Sequence, residues 1–274
     1  MFTITGFADE ISSDLSVQLT ELKGLGIRHL ELRGIWGKNV MELTDDDVAR
    51  VSSLLKEYNF GVSSIASPIG KYPIREEFTP QIQAMNRAIE LANQLGTSYI
   101  RVFSYYIPEG EDPANYREEV IYRMGQLAQL AEQGGVMMIL ENDRGGLYGD
   151  NDDRVLDIVR TVDSPALKLA FDPGNFVLEN VAPVSQAYGK LAPYIGYIHI
   201  KDADLDKDIF VEAGKGEGQI AELIDRLQQS SFSGFLSIEP HLHKAYPEAS
   251  NPERFAIAAR ALQQLLSEKS ADWN

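Results

Sequence analysis

The feature that most constrains this 274-residue chain is an alternation that repeats eight times. A short β-rich run is followed by a longer stretch with helical spacing, and the pattern then begins again. The β-rich runs are FTITGFA (2–8), HLELRG (29–34), GVSSIAS (61–67), SYIRVFS (98–104), VMMILEN (136–142), LKLAFD (167–172), YIGYIHI (194–200) and GFLSIEP (234–240). Between them, residues 14–25 set Leu15, Leu19, Leu22 and Leu25 on one helical face, and residues 45–58 do so with Val48, Val51, Leu54 and Leu55. Segments 77–95, 115–133 and 252–266 keep the same period of about 3.6 residues. Cap chemistry fits: Ser12 or Ser13 precedes the first helix, Thr44 precedes Asp47 by three residues, and Gly24, Gly96 and Gly134 stand near helix ends.

Eight strand–helix units without a break in composition predict one closed (β/α)8 TIM barrel, a single α/β domain over residues 1–274. The alternative is a doubly wound open sheet, which has fewer strands and often a glycine-rich first turn. Here that turn reads ADEISSDL and has no glycine. The longest loops, 34–43, 67–76 and 201–218, all follow strands, where barrel active sites are built.

Composition narrows the function. The apolar share of 44% and charged share of 24% are those of a globular protein, which excludes disorder for most of the chain. A net charge of −16 repels phosphate backbones, so no nucleic-acid partner is expected. Without cysteine there is no disulfide framework and no thiolate metal site. The N-terminus lacks a signal-peptide pattern, and no apolar run reaches about 18 residues, so a cytoplasmic protein without membrane contact is expected.

In a barrel the chemistry stands at the C-terminal ends of strands. The fifth run ends in Glu141 and Asn142, the sixth in Asp172 with Asn175 just beyond, the seventh in His199 and Lys201, and the eighth in Glu239 with His241 and His243 beyond. Glu141, Asp172, His199 and Glu239 are 31, 27 and 40 residues apart, about one unit each. Strand alternation can point all four into one cavity. Three converging carboxylates would repel one another, and one divalent cation removes the conflict. Oxygen ligands with one imidazole suit Mn, Mg, Fe, Co or Zn.

Other residues carry weaker signals. Lys201 shares a strand face with His199; it could hold a substrate oxygen or pair with Asp172 or Asp202. Arg33 and Glu31 share a face and could contact substrate or pair with each other. His241 and His243 could meet substrate or be solvated. His29 opens the second strand at the opposite barrel end and reads as structural. GKGEGQ (214–219) lacks the context of a phosphate loop and reads as a tight turn before a helix starting near Gln219. RVFSYY (101–106) could form an aromatic wall at the mouth or ordinary core.

The series LEN, FDPGN, HIKD and GFLSIEP, with the GKGEGQI loop, resembles the xylose isomerase-like TIM-barrel superfamily in its sugar phosphate isomerase/epimerase branch. The resemblance runs from GFADEIS to SIEPHL. It implies that Glu141, Asp172, His199 and Glu239 bind one divalent metal, and a homodimer is common among such barrels. Ketose 3-epimerases of the superfamily often have histidine three residues after the Asp, where this chain has Asn175. HIKD is more similar to inosose dehydratase members. The endonuclease IV group needs a histidine-rich metal cluster, and this chain has only four histidines.

The function expected is a metal-dependent isomerase or epimerase of a small sugar or keto-polyol, acting through an enediolate. Glu141 and Glu239 would move protons, Lys201 would stabilise charge, and Arg33, Asn142, Asn175 and His241 would contact substrate. A dehydratase on the same site is the alternative, and a sugar-binding barrel without catalysis the third reading. Loss of water from a keto-inositol separates the second from the first, and absence of metal affinity marks the third.

Overall fold

A computed structural model describes all residues 1–274. Eight parallel strands form one sheet: β1 (Thr3–Gly6), β2 (His29–Leu32), β3 (Gly61–Ile65), β4 (Tyr99–Val102), β5 (Met137–Glu141), β6 (Leu167–Phe171), β7 (Ile195–Ile200) and β8 (Phe235–Ile238). Ladders join β2 successively through to β8, and β8 to β1. β1 and β2 pack side by side without a ladder of their own, so the barrel is nearly closed. This is the (β/α)8 TIM barrel that the eightfold alternation predicts, not an open sheet.

Around it run α1 (Leu15–Gly24), α2 (Asp45–Tyr58), α3 (Thr79–Leu95), α4 (Arg117–Gln133), α5 (Asp152–Val162), α6 (Pro173–Leu178), α7 (Ile220–Gln229) and α8 (Asn251–Glu268). Spacing explains their seating. α1 buries Leu15, Leu19 and Leu22, one stripe on the barrel wall, and each fully buried leucine contributes about 1.5–3 kcal/mol. Thr44 and Asp47 form the predicted capping box of α2. At the end of α3, Gly96 takes the left-handed conformation, φ 72°, that glycine adopts without steric cost. The cap of α1 differs from expectation. A 3-10 turn at Ala8–Glu10 delays the helix, and Asp14 rather than Ser12 or Ser13 accepts from the amides of Ser16 (2.9 Å) and Val17 (3.2 Å). The crossover from β6 to β7 is broken into α6, a π-helical turn at Pro183–Tyr188 and a last turn at Gly189–Leu191. Prolines at 173, 183 and 193 explain the breaks, since proline is disfavoured inside a helix.

The main core lies between sheet and helices. A second, small core fills the barrel floor, where Ile139, Ala170 and Tyr197 pack with Tyr99, Met137 and Phe235. His29 closes this floor with its ring 5.3 Å from Phe235, the structural place expected of it. Side chains alternate along a strand. Two residues above the floor positions therefore come Glu141 on β5, Asp172 after β6, His199 on β7 and Ser237 on β8. Two of the long loops carry small hairpins, Gly34–Ile35 with Lys38–Asn39 and Asp202–Asp204 with Ile209–Val211. No helix is long and apolar enough to cross a membrane.

Candidate metal centre

Glu141, Asp172, His199 and Glu239 each offer a ligand atom, all within 4.8 Å of one another, and all four residues are buried. His199 Nδ1 lies 3.3 Å from Glu141 Oε1 and 3.8 Å from Asp172 Oδ2. Lys201 faces the same side, with Nζ 2.8 Å from Asp172 Oδ2 and 2.7 Å from Glu239 Oε2. The four strand-end residues singled out in the sequence thus meet, and Lys201 stands among them.

The shell around them corrects several expectations. Asn142, expected at the substrate, is turned away from the cavity and is fully engaged in joining two strands. Its amide donates to the Asp172 carbonyl at 2.8 Å and accepts from the Asp172 N–H at 2.9 Å. Asn175 does line the cavity; its amide donates to Glu141 Oε1 at 3.2 Å and to the Asn142 carbonyl at 3.0 Å. Its own N–H donates to Asp172 Oδ1 at 2.8 Å, which caps α6. Arg33 and Glu31 do not pair. Glu31 sits deeper in the barrel, whereas Arg33 stands at the rim and reaches Asp9 (2.7 Å), Glu239 (2.9 Å) and Glu10 (3.3 Å). His241 also turns to Glu239 Oε1, at 3.0 Å, while His243 is exposed.

Lys201 pairs with Asp172 and Glu239 and not with Asp202. The Asp202 carboxylate instead accepts from the amides of Gly214 (2.8 Å), Gly216 (3.2 Å), Gly218 (2.7 Å) and Ala203 (2.8 Å). The glycine-rich loop therefore wraps a carboxylate of its own chain and leads into α7, as its tight-turn reading predicts. Closeness requires the glycines: a Cβ at Gly216 would lie 2.1 Å from the Ala203 carbonyl oxygen.

The electrostatics follow from burial and these pairs. Burial raises the Asp172 carboxyl above the usual carboxylate range, and the Lys201 ammonium only partly offsets it. Burial also disfavours the Glu239 charge, but the Lys201 and His241 charges outweigh it and hold this carboxyl well below its usual range. Likewise the nearby Glu141 and Glu31 carboxylates overcome burial and raise His199.

Above the cluster opens a polar cavity of about 300 Å³. Arg33, Asn175, Lys201, Glu239 and His241 line it, and Phe210 and Pro68 are its only apolar residues. The RVFSYY aromatics therefore form no wall there; Phe103 and Tyr105 are core. Within that run the sequence pattern does not mark Arg101 as a site residue. It is buried, its Nη1 donates to Glu141 Oε2 at 3.2 Å, and its guanidinium lies between Phe7 and Phe103 at 5.0 and 4.8 Å. The one sequence signal for it is an arginine inside an otherwise apolar strand. Lys71, Asp143 and Arg144 also line the cavity from loops whose position no local periodicity predicts. A larger open groove, about 730 Å³, lies against α8 and lacks any such convergent cluster.

The donor set fits a divalent cation. Both ring nitrogens of His199 are buried and lie close to carboxylates, Nε2 3.4 Å from Glu31 and Nδ1 3.3 Å from Glu141, without completing a hydrogen bond, and Asp172 Oδ2, beside the Lys201 ammonium and His199 Nδ1, completes none either. Buried polar atoms are rarely left so. Three carboxylates and one imidazole are ligands for hard or borderline divalent ions.

A TIM barrel with a buried carboxylate–imidazole cluster at its C-terminal mouth is thus the class of protein defined by fold and site. The chain matches the model of the xylose isomerase-like TIM barrel family over residues 19–265, and it belongs to that family. It is 27% identical over 165 residues to the uncharacterized protein MJ1311 of Methanocaldococcus jannaschii, covering 58% of this chain and 56% of that protein. It is 23% identical over 177 residues to the 3-dehydroshikimate dehydratase of Bacillus anthracis, covering 65% of this chain and 62% of the enzyme. The chain therefore spans about three fifths of the length of the curated relatives it matches. Among solved structures it resembles the IolI protein with a bound zinc atom, at TM-score 0.81 and 18% identity over 97% of this chain and 99% of that one. It also resembles a D-tagatose 3-epimerase-like protein, at TM-score 0.77 and 18% identity over 98% of this chain and 100% of that one. At such identity these two structures speak for the fold.

Proposed function

We propose that this protein is a metal-dependent isomerase or epimerase of a small sugar or keto-polyol. The observation that carries the reading is the convergence of Glu141, Asp172, His199 and Glu239 beneath a polar cavity, with Lys201 among them. Those four residues would hold one divalent ion, of the Mn, Mg, Zn, Co or Fe group. When bound, such an ion supplies Lewis acidity that polarises a substrate carbonyl. The chain's own groups do the rest. A proton on the carbon next to a carbonyl is weakly acidic and needs a positioned base. Glu141 on β5 and Glu239 after β8 enter the cavity from different strands, so one carboxylate removes the proton and the other returns it. The Lys201 ammonium donates to the oxygen that gains negative charge as the enediolate forms. Arg33 and His241 hold Glu239 from the rim, and Asn175 holds Glu141. All three line the cavity and can also meet substrate hydroxyls.

A second reading is a dehydratase, favoured by the similarity to the 3-dehydroshikimate dehydratase. It begins with the same proton abstraction. The β carbon–oxygen bond then breaks, and the leaving hydroxyl takes a proton and departs as water. Incubating the metal-loaded protein in D2O with a panel of ketoses and keto-inositols separates the two. Epimer or isomer with deuterium at the α carbon supports the first reading, loss of water the second, and absence of both across the panel and of metal affinity refutes both.

A further inference from the structure

Glu31 has no part in that proton transfer, yet it is a carboxylate inside the barrel, with a relative exposure of 1%. A buried carboxylate demands partners. Its Oε2 accepts from Ser237 Oγ at 2.6 Å and lies 3.4 Å from His199 Nε2. Its Oε1 is buried and unpartnered. The imidazole between Glu31 and the cluster is held by aromatic edges, with the rings of Phe7 and Tyr197 centred 5.2 and 5.7 Å away. Its two nitrogens therefore face opposite ways, Nε2 down to Glu31 and Nδ1 up to Glu141 and Asp172.

The two nitrogens of a neutral imidazole are not equivalent; the one that carries the proton cannot ligate a metal. We propose that Glu31 is a positioning residue of the metal centre: standing 3.4 Å from His199 Nε2, it takes that nitrogen's proton into a hydrogen bond when the divalent ion binds, and so presents the Nδ1 lone pair to the ion. Outer carboxylates of this kind fix the ring and raise ligand basicity. Ser237, one inward step below Glu239 on β8, orients Glu31 in turn. The role rests on the metal reading above, and it adds a layer of residues that contacts neither ion nor substrate.

The test uses the full chain, Zn2+ as the probe and nitrogen NMR of histidine-labelled protein. In the wild type the expected spectrum has Zn2+ on Nδ1 of His199 and the proton on Nε2. Glu31→Gln keeps the size and one acceptor but loses the charge. Its Zn2+ affinity, read by competition with a chromophoric chelator, is expected to fall about 10–100-fold with far-ultraviolet circular dichroism unchanged. Zn2+ on Nε2, or a folded Glu31→Gln variant with wild-type affinity, overturns the role of Glu31 and leaves the metal centre standing. Wild-type protein whose His199 signals do not respond to Zn2+ overturns both. Should Glu31→Gln not fold, the wild-type spectrum alone decides by which nitrogen bears the metal.

Discussion

Lys201 Nζ donates to Glu239 Oε2 at 2.7 Å, tying the end of β7 to the end of β8 across the mouth of the barrel. The same ammonium touches Asp172, so one cation is shared by carboxylates from β6 and β8, the two strands that flank β7. Its charge offsets those two carboxylates, and in the proposed reaction the same atom would donate to substrate.

Replacing Lys201 separates these roles. Lys201→Met leaves buried Asp172 without its ammonium and Glu239 with only Arg33 and His241, and breaking a buried pair in this way typically costs about 3–5 kcal/mol. Urea unfolding of metal-free protein should show that loss, and added divalent ion should recover much of it. In the metal-loaded variant kcat and kcat/KM should fall together, because the bond to substrate forms chiefly in the transition state. A metal-loaded variant with wild-type turnover would remove Lys201 from the chemistry.

Glu239→Gln tests proton transfer. The substitution keeps shape and leaves an acceptor for Arg33 and His241. Turnover should drop by about 10²–10⁴, the usual contribution of a positioned acid or base. Most of the metal affinity should remain. Turnover at the wild-type level on an established substrate would show that Glu239 moves no proton.

The glycine-rich loop is expected to act on stability. Asp202→Ala strands the buried amide of Gly218 and frees those of Gly214 and Gly216, and a buried unsatisfied donor costs about 1–3 kcal/mol. Thermal unfolding should register a loss of roughly that size or more. Gly216→Ala should do the same by collision with the Ala203 carbonyl oxygen. If either variant melts with the wild type, the cradle contributes nothing.

Metal content is the most direct check. Protein purified without chelator should carry about one divalent ion per chain. An ion that binds only the folded state adds about 2.7 kcal/mol of stability at a hundred times its dissociation constant. EDTA should therefore lower the melting temperature, and Mn2+ or Zn2+ should restore it. His199→Ala should abolish the response; a response that survives would place the ion elsewhere.

The sequence alone determined the barrel and the membership of its cluster. Both follow from local periodicity: a period near 3.6 marks the helices, and a period of two puts residues 139 and 141, or 199 and 201, on one side of a strand. Glu141, Asp172, His199 and Glu239 stand on consecutive strands after apolar runs, so closure of the barrel suffices to bring them together. Periodicity states which side a residue faces but not how high it sits or what stands opposite. Glu31 and Arg33 share a face, yet one descends to His199 while the other rises to Asp9 and Glu239. A register shift at Leu30/Glu31 between β2 and β3 helps set that height, and no local pattern encodes it. Asn142, adjacent to Glu141, is taken up by the backbone of the neighbouring strand. Asp202, adjacent to Lys201, is taken up by a loop twelve to sixteen residues further on. Arg101 reaches Glu141 across forty residues of chain. Such pairings are decided by strand register and loop paths, which exist only once the sheet has closed, so the tertiary structure alone assigns them.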